Sequence, residues 1–360
     1  MSEPLKNRYS PTFVKEVAAV FNTVSPEFNA KKFLAFVLDD KWEGRELRDR
    51  TRHLTAGLSL CLSDDYAQSV QWICEASKQI KGGLFGFFLP DYVSDHGLAH
   101  WEVSMDALAI LTEHSTSEFA IRPFLDAEFD KGMKQLHLWT KSANKHHRRL
   151  ASEGSRSRLP WAKKVQALHD HPALVMELLS KMMEDESEYV RRSVANNLND
   201  ISKAEPLLVK THCAKWKGKS EATDKLIKHG LRTLLKQGDR EALDLIGISD
   251  AKGVKVCSFT CQPEVSIGNQ FSFKAMIENA KSPQPLRIEY AIHYQKKLGT
   301  RSKKVFHWSL ADWKSGQQKT LAKNQSFKDM TTRVHYPGKH TLEVIVNGEV
   351  LASLNFHVKK

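Results

Sequence analysis

The sequence contains no apolar run of the ~18 residues that a membrane-spanning helix requires. Its opening residues, MSEPLKNRYSP, also lack the charged and then apolar pattern of a secretory signal. Cysteine is scarce, with five residues at scattered positions among 360. An odd number at irregular spacing argues against a disulfide framework and indicates reduced thiols in a cytoplasmic protein. We therefore expect no membrane contact.

Metal-ligand patterns are also missing. Cys257 and Cys261 lie four residues apart, which matches no zinc-site spacing. The histidines include the pair His146-His147 and the neighbours His169 and His171, but no HExxH pattern or Cys/His set accompanies them. We predict no metal and no cofactor.

Basic residues outnumber acidic ones, and they are unevenly distributed along the sequence. The net charge is +12, and hydrophobic residues make up 41%, which is typical of a globular protein. Residues 251–360 contain 18 Lys/Arg against 7 Asp/Glu, whereas residues 1–250 are nearly balanced at 36 against 35. Within the balanced part, residues 141–164 hold eight cations and one acid. Two basic regions on one chain indicate a polyanionic partner. The alternative, that the positive charge serves only to keep the protein soluble, is less consistent with its uneven distribution.

The basic cluster is centred on the stretch HLWTKSANKHHRRLASEGSRSRLPW, residues 137–161, in which Glu153 is surrounded by arginines. On a continuous helix, Lys145, Arg149, Glu153 and Arg156 fall within roughly 80° of arc on one face. A row of cations around a single acid is typical of a site that acts on nucleic acid. The alternative is a solvated helix face with i,i+4 ion pairs, each worth ~0.2–0.5 kcal/mol.

Three neighbours of Glu153 bear on that choice. Gly154 in the middle of a helix costs ~1 kcal/mol relative to alanine, and this cost is easier to explain if something must approach the backbone closely. Pro160 ends this helix or begins the next. Trp161 follows at the junction, where it either belongs to the hydrophobic core or faces the site.

Residues 1 to about 247 are predicted to be helical, because apolar residues recur at spacings of three and four. Breaks are predicted at Ser25-Pro26, Gly82-Gly83, Pro90 and His171-Pro172. RRLASEGSR from Arg148 and RRSVANNLND from Arg191 are similar at an offset of 43 residues, which is within the range of HEAT-type helical repeats.

The second copy predicts a two-faced helix. Val190, Val194, Leu198 and Ile201 share an apolar face, whereas Arg192, Asn196, Asn199 and Asp200 share a polar one. The polar face either is solvent surface or continues a concave binding surface from Glu153.

After Gly247 the apolar residues alternate with polar ones, as in Phe271-Ile277 and Ile288-Tyr294. Asn347-Gly348 predicts a two-residue hairpin. Seven or so strands over 254–358 predict an immunoglobulin-like β-sandwich. The expected fold is thus an N-terminal α-solenoid of HEAT-like repeats (1–250), a linker at 250–253 and a β-sandwich (254–360).

Three segments of the helical part resemble a known family: residues 137–161, TSEFAIRPFL (116–125) and VRRSVANNLNDISK (190–203). In combination they resemble the DNA alkylation-repair glycosylases of the AlkC/AlkD group. The added β domain is similar to the AlkC branch. This resemblance implies a monofunctional DNA glycosylase of base excision repair that removes cationic alkylated bases from duplex DNA, chiefly 3-methyladenine, with 3-methylcytosine as a second candidate. The family is understood to act without base flipping.

The residues are compatible with that chemistry. Alkylation makes the base a cationic leaving group, so the remaining need is a carboxylate that stabilises the oxocarbenium-like sugar and positions water. Glu153 is the first candidate. By resemblance, Glu118 and Asp200 are further acids of the same groove and Trp161 contacts the lesion sugar or its flank. The alternative for Glu118 is a helix-start residue favoured by the helix dipole, and the alternative for Asp200 is a residue that caps or solvates a helix end.

Phosphate contacts are predicted for the cations nearby and for those of the β domain. Arg149 and Arg156 are expected to clamp phosphates on either side of the lesion. The other predicted contacts are Arg148, Arg158, Lys163, Lys164, Arg191 and Arg192, and in the β domain Lys296, Lys297, Arg301, Lys303 and Lys304. The β-domain cations lie near the turn after the predicted third strand. They either contact DNA opposite the helical groove or are charges that prevent an exposed edge strand from pairing with another chain.

Two other functions compete with the glycosylase: a non-catalytic HEAT-repeat protein that binds damaged DNA, and a HEAT-type protein scaffold. The expected partner is duplex DNA containing alkylated bases, bound by a monomer. The scaffold predicts DNA binding that is weak and insensitive to salt, which the basic charge disfavours.

Overall fold

The computed structural model describes residues 4–330 and 333–360, apart from the side chain of Leu84. Helices occupy the chain up to Leu245, and strands follow from Val254. The α-helices are α1 (Pro11–Val24), α2 (Ala30–Val37), α3 (Leu47–Cys61), α4 (Tyr66–Ser77), α5 (Phe88–His96), α6 (Trp101–His114), α7 (Arg122–Ala127), α8 (Phe129–Trp139), α9 (Lys145–Gly154), α10 (Gln166–Asp170), α11 (Pro172–Ser180), α12 (Glu188–Ile201), α13 (Pro206–Trp216), α14 (Glu221–Gly230), α15 (Arg232–Gln237) and α16 (Arg240–Leu245). In the described residues, no helix is long and apolar enough to cross a membrane.

Local signals explain where these helices begin. Ser10 caps α1 by accepting a hydrogen bond from the amide of Phe13, and Asn144 caps α9 in the same way through the amide of His146. The predicted break at Pro90 was wrong, because Pro90 lies in the first turn of α5, where a helix tolerates proline.

Helices α9 and α12 are neighbours that begin 43 residues apart, at Lys145 and Glu188. The apolar face predicted for α12 is confirmed, since Val190, Val194 and Leu198 are fully buried. The opposite face is not plain solvent surface, because Asp200 is also buried. Helix α12 therefore packs on both sides, against α9 and α14.

The strands form two sheets. They are β1 (Val254–Cys261), β2 (Glu264–Ser266), β3 (Gln270–Asn279), β4 (Gln284–Gln295), β5 (Arg301–Trp313), β6 (Gln317–Ser326), β7 (Gly338–Val346) and β8 (Glu349–Lys359). One sheet has the order β1-β3-β6 and the other β2-β8-β7-β4-β5, in which only β2 and β8 pair in parallel among the described strands. Inward-facing side chains such as Phe271 and Phe356, whose rings stack at 4.0 Å, fill the space between the sheets.

The predicted hairpin at Asn347-Gly348 is confirmed. Both residues have positive φ, 48° and 90°, as a type I′ turn requires, and they join β7 to β8. Asn347 has a second role, because its buried side chain accepts a hydrogen bond from the amide of Arg287 and donates to the carbonyl oxygen of Ser249. This asparagine therefore ties the turn to β4 and to the segment before β1.

The chain divides into two compact units. The first comprises Met1–Glu205 with Ser220–Gly230, and the second comprises Pro206–Lys219 with Leu231–Lys360. Helices α13, α15 and α16 thus belong to the same unit as the β-sandwich. The predicted boundary at 250–253 coincides with the change from helix to strand but stays a prediction as a domain boundary.

Candidate nucleic-acid site

The first compact unit contains a line of alternating acids and bases built from α9, α12 and the segments around them. We call this line the ion-pair ladder. Each neighbouring pair lies 2.5–3.7 Å apart, and five of the six members come from the sequence-predicted site. In order, its members are Glu118, Arg149, Glu153, Arg156, Asp200 and Lys203.

Glu153 lies at the middle of the ladder and is only 5% exposed. Its Oε1 accepts a hydrogen bond from Arg156 Nη1 at 2.6 Å and lies 3.7 Å from Arg149 Nη2. Its Oε2 lies 2.6 Å from the hydroxyl of Ser193, which donates to it from α12. Because two cations and a hydroxyl hold both oxygens, the carboxylate has one fixed orientation.

Arg149 joins Glu153 to Glu118. Its Nη1 lies 2.5 Å from Glu118 Oε2 and 2.8 Å from the hydroxyl of Thr116, which itself donates to Glu118. The guanidinium also lies 5.4 Å from the ring centroid of Tyr189. Burial lowers the pKa of Arg149, but Glu118 and Glu153 outweigh burial and leave that pKa above its usual value. Arg149 therefore stays charged.

Arg156 joins Glu153 to Asp200. Its Nε donates to Asp200 Oδ2 at 2.8 Å, and Lys203 Nζ lies 3.2 Å from Asp200 Oδ1. Burial lowers the pKa of Arg156, but Glu153 and Asp200 together raise it above its usual value. Arg156 lies beyond the end of α9, so the predicted single helix face extends only as far as Glu153.

A second set of contacts fixes α9 against α12. Asn197 Nδ2 donates to the carbonyl oxygen of Ser152 at 2.8 Å and to the hydroxyl of Ser155 at 3.0 Å. All three residues are buried. These hydrogen bonds from Asn197 Nδ2 hold together the two helices that carry the ladder, whereas Asn197 Oδ1 has no hydrogen-bond partner among the described residues.

Gly154 meets the predicted close approach to its backbone, but at a different place in the helix. It is the last residue of α9, not a mid-helix residue, and it is buried. A Cβ at this position would lie 2.7 Å from Cγ2 of Ile121. Glycine is therefore needed because the side chain of Ile121 approaches closely.

Arg122 is a site residue that the sequence interpretation missed, although it lies within the quoted segment 116–125. It is buried, and its Nη1 donates to the carbonyl oxygens of Gly154 and Arg156 at 3.0 and 2.9 Å. Its Nε donates to the carbonyl oxygen of Lys163 at 2.9 Å. Burial and, second to it, the neighbouring Arg156 lower the pKa of Arg122 to about 10. The only available signal was an arginine among apolar residues.

Trp161 is 65% exposed, which excludes the hydrophobic-core alternative. It follows Pro160 in a turn closed by the amide of Ala162 and the carbonyl oxygen of Leu159 at 3.3 Å. Trp161 has φ +66°, a left-handed conformation that disfavours a bulky side chain. Pro160 therefore lies inside this turn and neither ends α9 nor begins α10.

The Trp161 side chain borders a cavity of about 670 Å³ in the first unit. Acids and bases line it together, including Arg52, Asp126, Lys163 and Lys164. The exposed Trp161 therefore lies at the edge of an open cavity bordered by both signs of charge.

The remaining predicted phosphate contacts fall into two groups. Arg148 is buried, and its donors serve Asp185, Glu186 and the carbonyl oxygens of residues 142 and 143, so it has no donor to spare for a phosphate. Arg191 Nη1 likewise donates to the carbonyl oxygens of residues 185 and 186. The exposed group, whose side chains form no ion pair within the described part of the chain, comprises Arg158, Lys163, Lys164 and Arg192.

In the second unit, the predicted cations lie on the β4–β5 hairpin. Lys296 and Lys297 lie in the loop, and Arg301, Lys303 and Lys304 lie on β5, the edge strand of the five-stranded sheet. The loop follows the fourth described strand and not the third, because the short strand β2 had no clear sequence signal. Lys303 is paired with Glu343 at 2.8 Å, and the other four are exposed.

Within the described residues, no group of three His, Cys, Asp or Glu side chains could hold a metal ion. The ladder itself offers three carboxyl groups held by arginines. Such an arrangement stabilises positive charge that develops nearby and can orient a water molecule.

Comparisons with known proteins agree with this architecture. The profile of the family described as "DNA alkylation repair enzyme" matches residues 114–241, which include the whole ladder. A second profile, "Uncharacterised protein YhaZ, C-terminal Ig-like domain", matches residues 255–360. The fold and site thus define a DNA alkylation repair protein with an immunoglobulin-like domain.

Two proteins are similar over the full length. "Uncharacterized protein YhaZ" of Bacillus subtilis (strain 168) is 44% identical over 355 residues, which cover 98% of this chain and 99% of that protein. The Pseudomonas fluorescens alkylpurine DNA glycosylase AlkC, solved bound to DNA containing an abasic site analog, is 34% identical with a TM-score of 0.96, covering 99% of this chain and 100% of that chain. The chain belongs to the AlkC-type branch of the DNA alkylation repair enzyme family.

Proposed function

We propose that this protein is a monofunctional DNA glycosylase that removes cationic alkylated bases from duplex DNA in base excision repair. The expected substrates are 3-methyladenine first and 3-methylcytosine second. The observation that carries the proposal is the ion-pair ladder, which lies inside the segment that matches the repair-enzyme family. The full-length similarity to an alkylpurine DNA glycosylase supports the same reaction.

The ladder suits a cationic substrate for a physical reason. A base that already carries positive charge leaves without much acid catalysis, and the barrier lies in the positive charge that develops on the sugar. Glu153 is fixed by Arg149, Arg156 and Ser193, so it does not have to reorganise when that charge develops. We assign Glu153 the main role of stabilising the sugar and positioning the attacking water.

Glu118 and Asp200 extend the negative potential on either side of Glu153. Each is shared with an arginine of the ladder, so the arginines act first as partners of the carboxylates. The earlier expectation that Arg149 and Arg156 clamp phosphates is secondary to this, because each guanidinium is already paired with two carboxyl groups of the ladder. Trp161, with its exposed indole beside the cavity, is assigned the contact to the lesion sugar or its flank.

We further propose that the helical part is a solenoid of HEAT-like repeats whose groove holds the duplex. The 43-residue offset and packing of α9 and α12 support a repeat. The exposed cations Arg158, Lys163, Lys164 and Arg192 are proposed to contact phosphates there, and those of the β4–β5 hairpin contact the same DNA. As in the family it resembles, the protein is proposed to cleave the N-glycosidic bond while the alkylated base stays stacked in the duplex. It is proposed to act as a monomer.

The decisive experiment is base release from methylated duplex DNA, with the products resolved by chromatography. Wild type should release 3-methyladenine, Glu153→Gln should not, and Glu177→Gln, which changes an exposed acid on α11, should behave as wild type. Release by Glu153→Gln at the wild-type rate would move the catalytic role to Glu118 or Asp200. The absence of release by wild type, together with tight DNA binding, would favour the non-catalytic damage-binding protein.

The same reaction tests whether the enzyme is monofunctional. Among the described residues, Lys203 is the one lysine paired with a ladder carboxyl group, and its Nζ is engaged by Asp200. We therefore expect abasic DNA to remain intact until it is heated with alkali. Strand cleavage before that treatment would contradict the proposal.

A further inference from the structure

Ser193 lies on α12 and joins two polar groups that α9 presents to it. Its hydroxyl oxygen lies 2.6 Å from Glu153 Oε2 and 3.0 Å from the hydroxyl oxygen of Ser152. All three residues are buried. Because Ser193 has a single hydroxyl proton, it can donate to only one of these two oxygens at a time. The other oxygen must then supply a proton to Ser193.

The charge state of Glu153 decides which of the two hydrogen bonds Ser193 donates. An ionised carboxylate only accepts hydrogen bonds, and it is a stronger acceptor than a hydroxyl group. With Glu153 in that form, Ser193 donates to Oε2, and the hydroxyl of Ser152 donates to Ser193 Oγ. The shorter of the two distances is the one to Oε2, which agrees with this direction.

The two carboxyl oxygens of Glu153 have different partners. Oε1 lies 2.6 Å from Arg156 Nη1 and 3.7 Å from Arg149 Nη2. Among the described residues, Ser193 is the one hydrogen-bond partner of Oε2. A carboxylate oxygen accepts about two hydrogen bonds, so Oε2 retains an acceptor site for a water molecule.

We propose that Ser193 and Ser152 form a reversible hydroxyl pair that holds Glu153 in one orientation before and after it receives a proton. The inference rests on the proposed function and deepens it by naming two positioning residues. In the reaction, the bond from C1′ to the base breaks with its electron pair on the base, the water oxygen bonds to C1′, and one water proton passes to Oε2. The protonated Oε2 then donates to Ser193 Oγ, and Ser193 donates to Ser152 Oγ.

The reversal requires two hydroxyl groups to rotate and no heavy atom to move, since the same oxygen–oxygen distances serve both directions. Ser152 is then free to donate to a carbonyl oxygen of the preceding helical turn, as serine in helices does. An N–H group at position 193 could not serve both states, because it would face the proton of the carboxylic acid. A hydroxyl group both donates and accepts.

The first test titrates Glu153 in the free protein and requires no base release. Full-length protein with ¹³C in the glutamate carboxyl groups is titrated with acid in an NMR experiment, and the signal of Glu153 is assigned by its loss in Glu153→Gln. Ser193→Ala removes the donor to the ionised form, so the midpoint of this signal should rise by about one pH unit relative to wild type. Ser152→Ala removes the acceptor for the protonated form, so its midpoint should stay or fall.

The second test measures single-turnover base release and DNA affinity. Ser193→Ala should lower the rate constant of release at least about tenfold and leave the affinity unchanged, because it affects orientation and not DNA binding. Ser152→Ala should cause a smaller loss. The control is Ser104→Ala, which removes a buried hydroxyl on α6 that is bonded to Tyr66 and to the carbonyl oxygen of Gly97. It should lower stability and leave both the release rate and the Glu153 titration as in wild type.

The proposal is overturned if Ser193→Ala titrates at the wild-type pH, or if Ser152→Ala raises the midpoint as much as Ser193→Ala does. An equal loss of release rate in Ser104→Ala would also overturn it, since any buried hydroxyl would then have the same effect. The expected titration shifts without base release by wild type would count against the glycosylase alone. Base release by wild type without the titration shifts would count against the hydroxyl pair alone.

Discussion

Arg122 donates a hydrogen bond to the carbonyl oxygen of Gly154, across 32 residues of sequence, at 3.0 Å. Gly154 is the last residue of α9, and the final carbonyl groups of a helix have no partner within the helix. A buried cation at this end also interacts favourably with the negative end of the helix dipole. Because Arg122 bonds the carbonyl oxygens of Arg156 and Lys163 as well, it connects α7 to the whole segment between the ladder and Trp161.

Replacing Arg122 should therefore affect both stability and catalysis. Arg122→Gln leaves buried carbonyl groups without donors, and we expect the free energy of unfolding to fall by about 2–3 kcal/mol. As a positioning residue, Arg122 should change kcat of base release at least tenfold with little change in DNA affinity. Chemical denaturation and single-turnover kinetics measure the two effects. Arg122→Lys should recover only part of kcat, and a uniform loss of affinity with normal kcat would contradict the assignment.

Cations that the sequence analysis predicted alike as phosphate contacts should differ in their effect on the salt dependence of DNA affinity. Lys163→Ala or Lys164→Ala should each reduce the slope of log affinity against log salt by about one, because these exposed lysines are free to neutralise a phosphate. Arg148→Gln should leave the slope unchanged, because Asp185 and Glu186 already occupy its guanidinium.

Arg148→Gln also leaves Asp185 buried without its partner, so its control is the double variant Arg148→Gln/Asp185→Asn, measured by fluorescence anisotropy at several salt concentrations. A decrease of about one in the slope for this double variant would restore Arg148 as a phosphate contact.

Asp91 should make stability depend on pH. Burial raises the pKa of Asp91, and its effect outweighs that of the Arg48 guanidinium 3.3 Å away. With a further contribution from Asp95, the pKa is raised to about 6. In the unfolded chain the same proton is released at about pH 3.9. The folded protein thus holds more protons between these values, so this group makes the free energy of unfolding fall by about 2–3 kcal/mol as pH rises from 4 to 7. Asp91→Asn should gain that much relative to wild type over this range in urea denaturation. Parallel pH profiles would refute the shift.

Replacing Trp161 should reduce base release without reducing the stability of the protein. Its left-handed backbone disfavours a bulky residue, and its side chain buries little surface. Asparagine tolerates this conformation, so Trp161→Asn should leave the free energy of unfolding unchanged or raise it by about 1 kcal/mol, while base release falls. Trp161→Phe should retain more activity than Trp161→Asn. A loss of stability above about 1 kcal/mol in calorimetry would instead show that the indole supports the fold.

Much of the fold follows from local patterns. The apolar face of α12 is visible in its spacing of three and four, and the β7–β8 turn is visible in Asn347-Gly348, because both depend on neighbours within one helix or one turn. The short strand β2 has no such pattern, since it consists of three residues paired with β8 some 90 residues later. Its existence depends on a distant partner.

The candidate site shows the same division. Glu153 among arginines is evident from the sequence, and the i,i+4 relation of Arg149 to Glu153 is correct. The partner of Arg148 could not be predicted, because Asp185 lies 37 residues away and nothing local distinguishes Arg148 from Arg149. Adjacent helical residues point about 100° apart, so one of these arginines faces the ladder and the other faces Asp185.

The change from helices to strands, the two basic regions and the single acid among many cations are already evident in the amino-acid sequence. The folded structure is needed to see which cations lack an ion-pair partner among the described residues, why residue 154 is glycine, that Arg122 holds the site segment, and that Trp161 faces solvent. The reason is that secondary structure and charge arise from residues near one another in sequence, whereas partners of buried charges come from helices 30 to 45 residues apart that meet only when the chain folds.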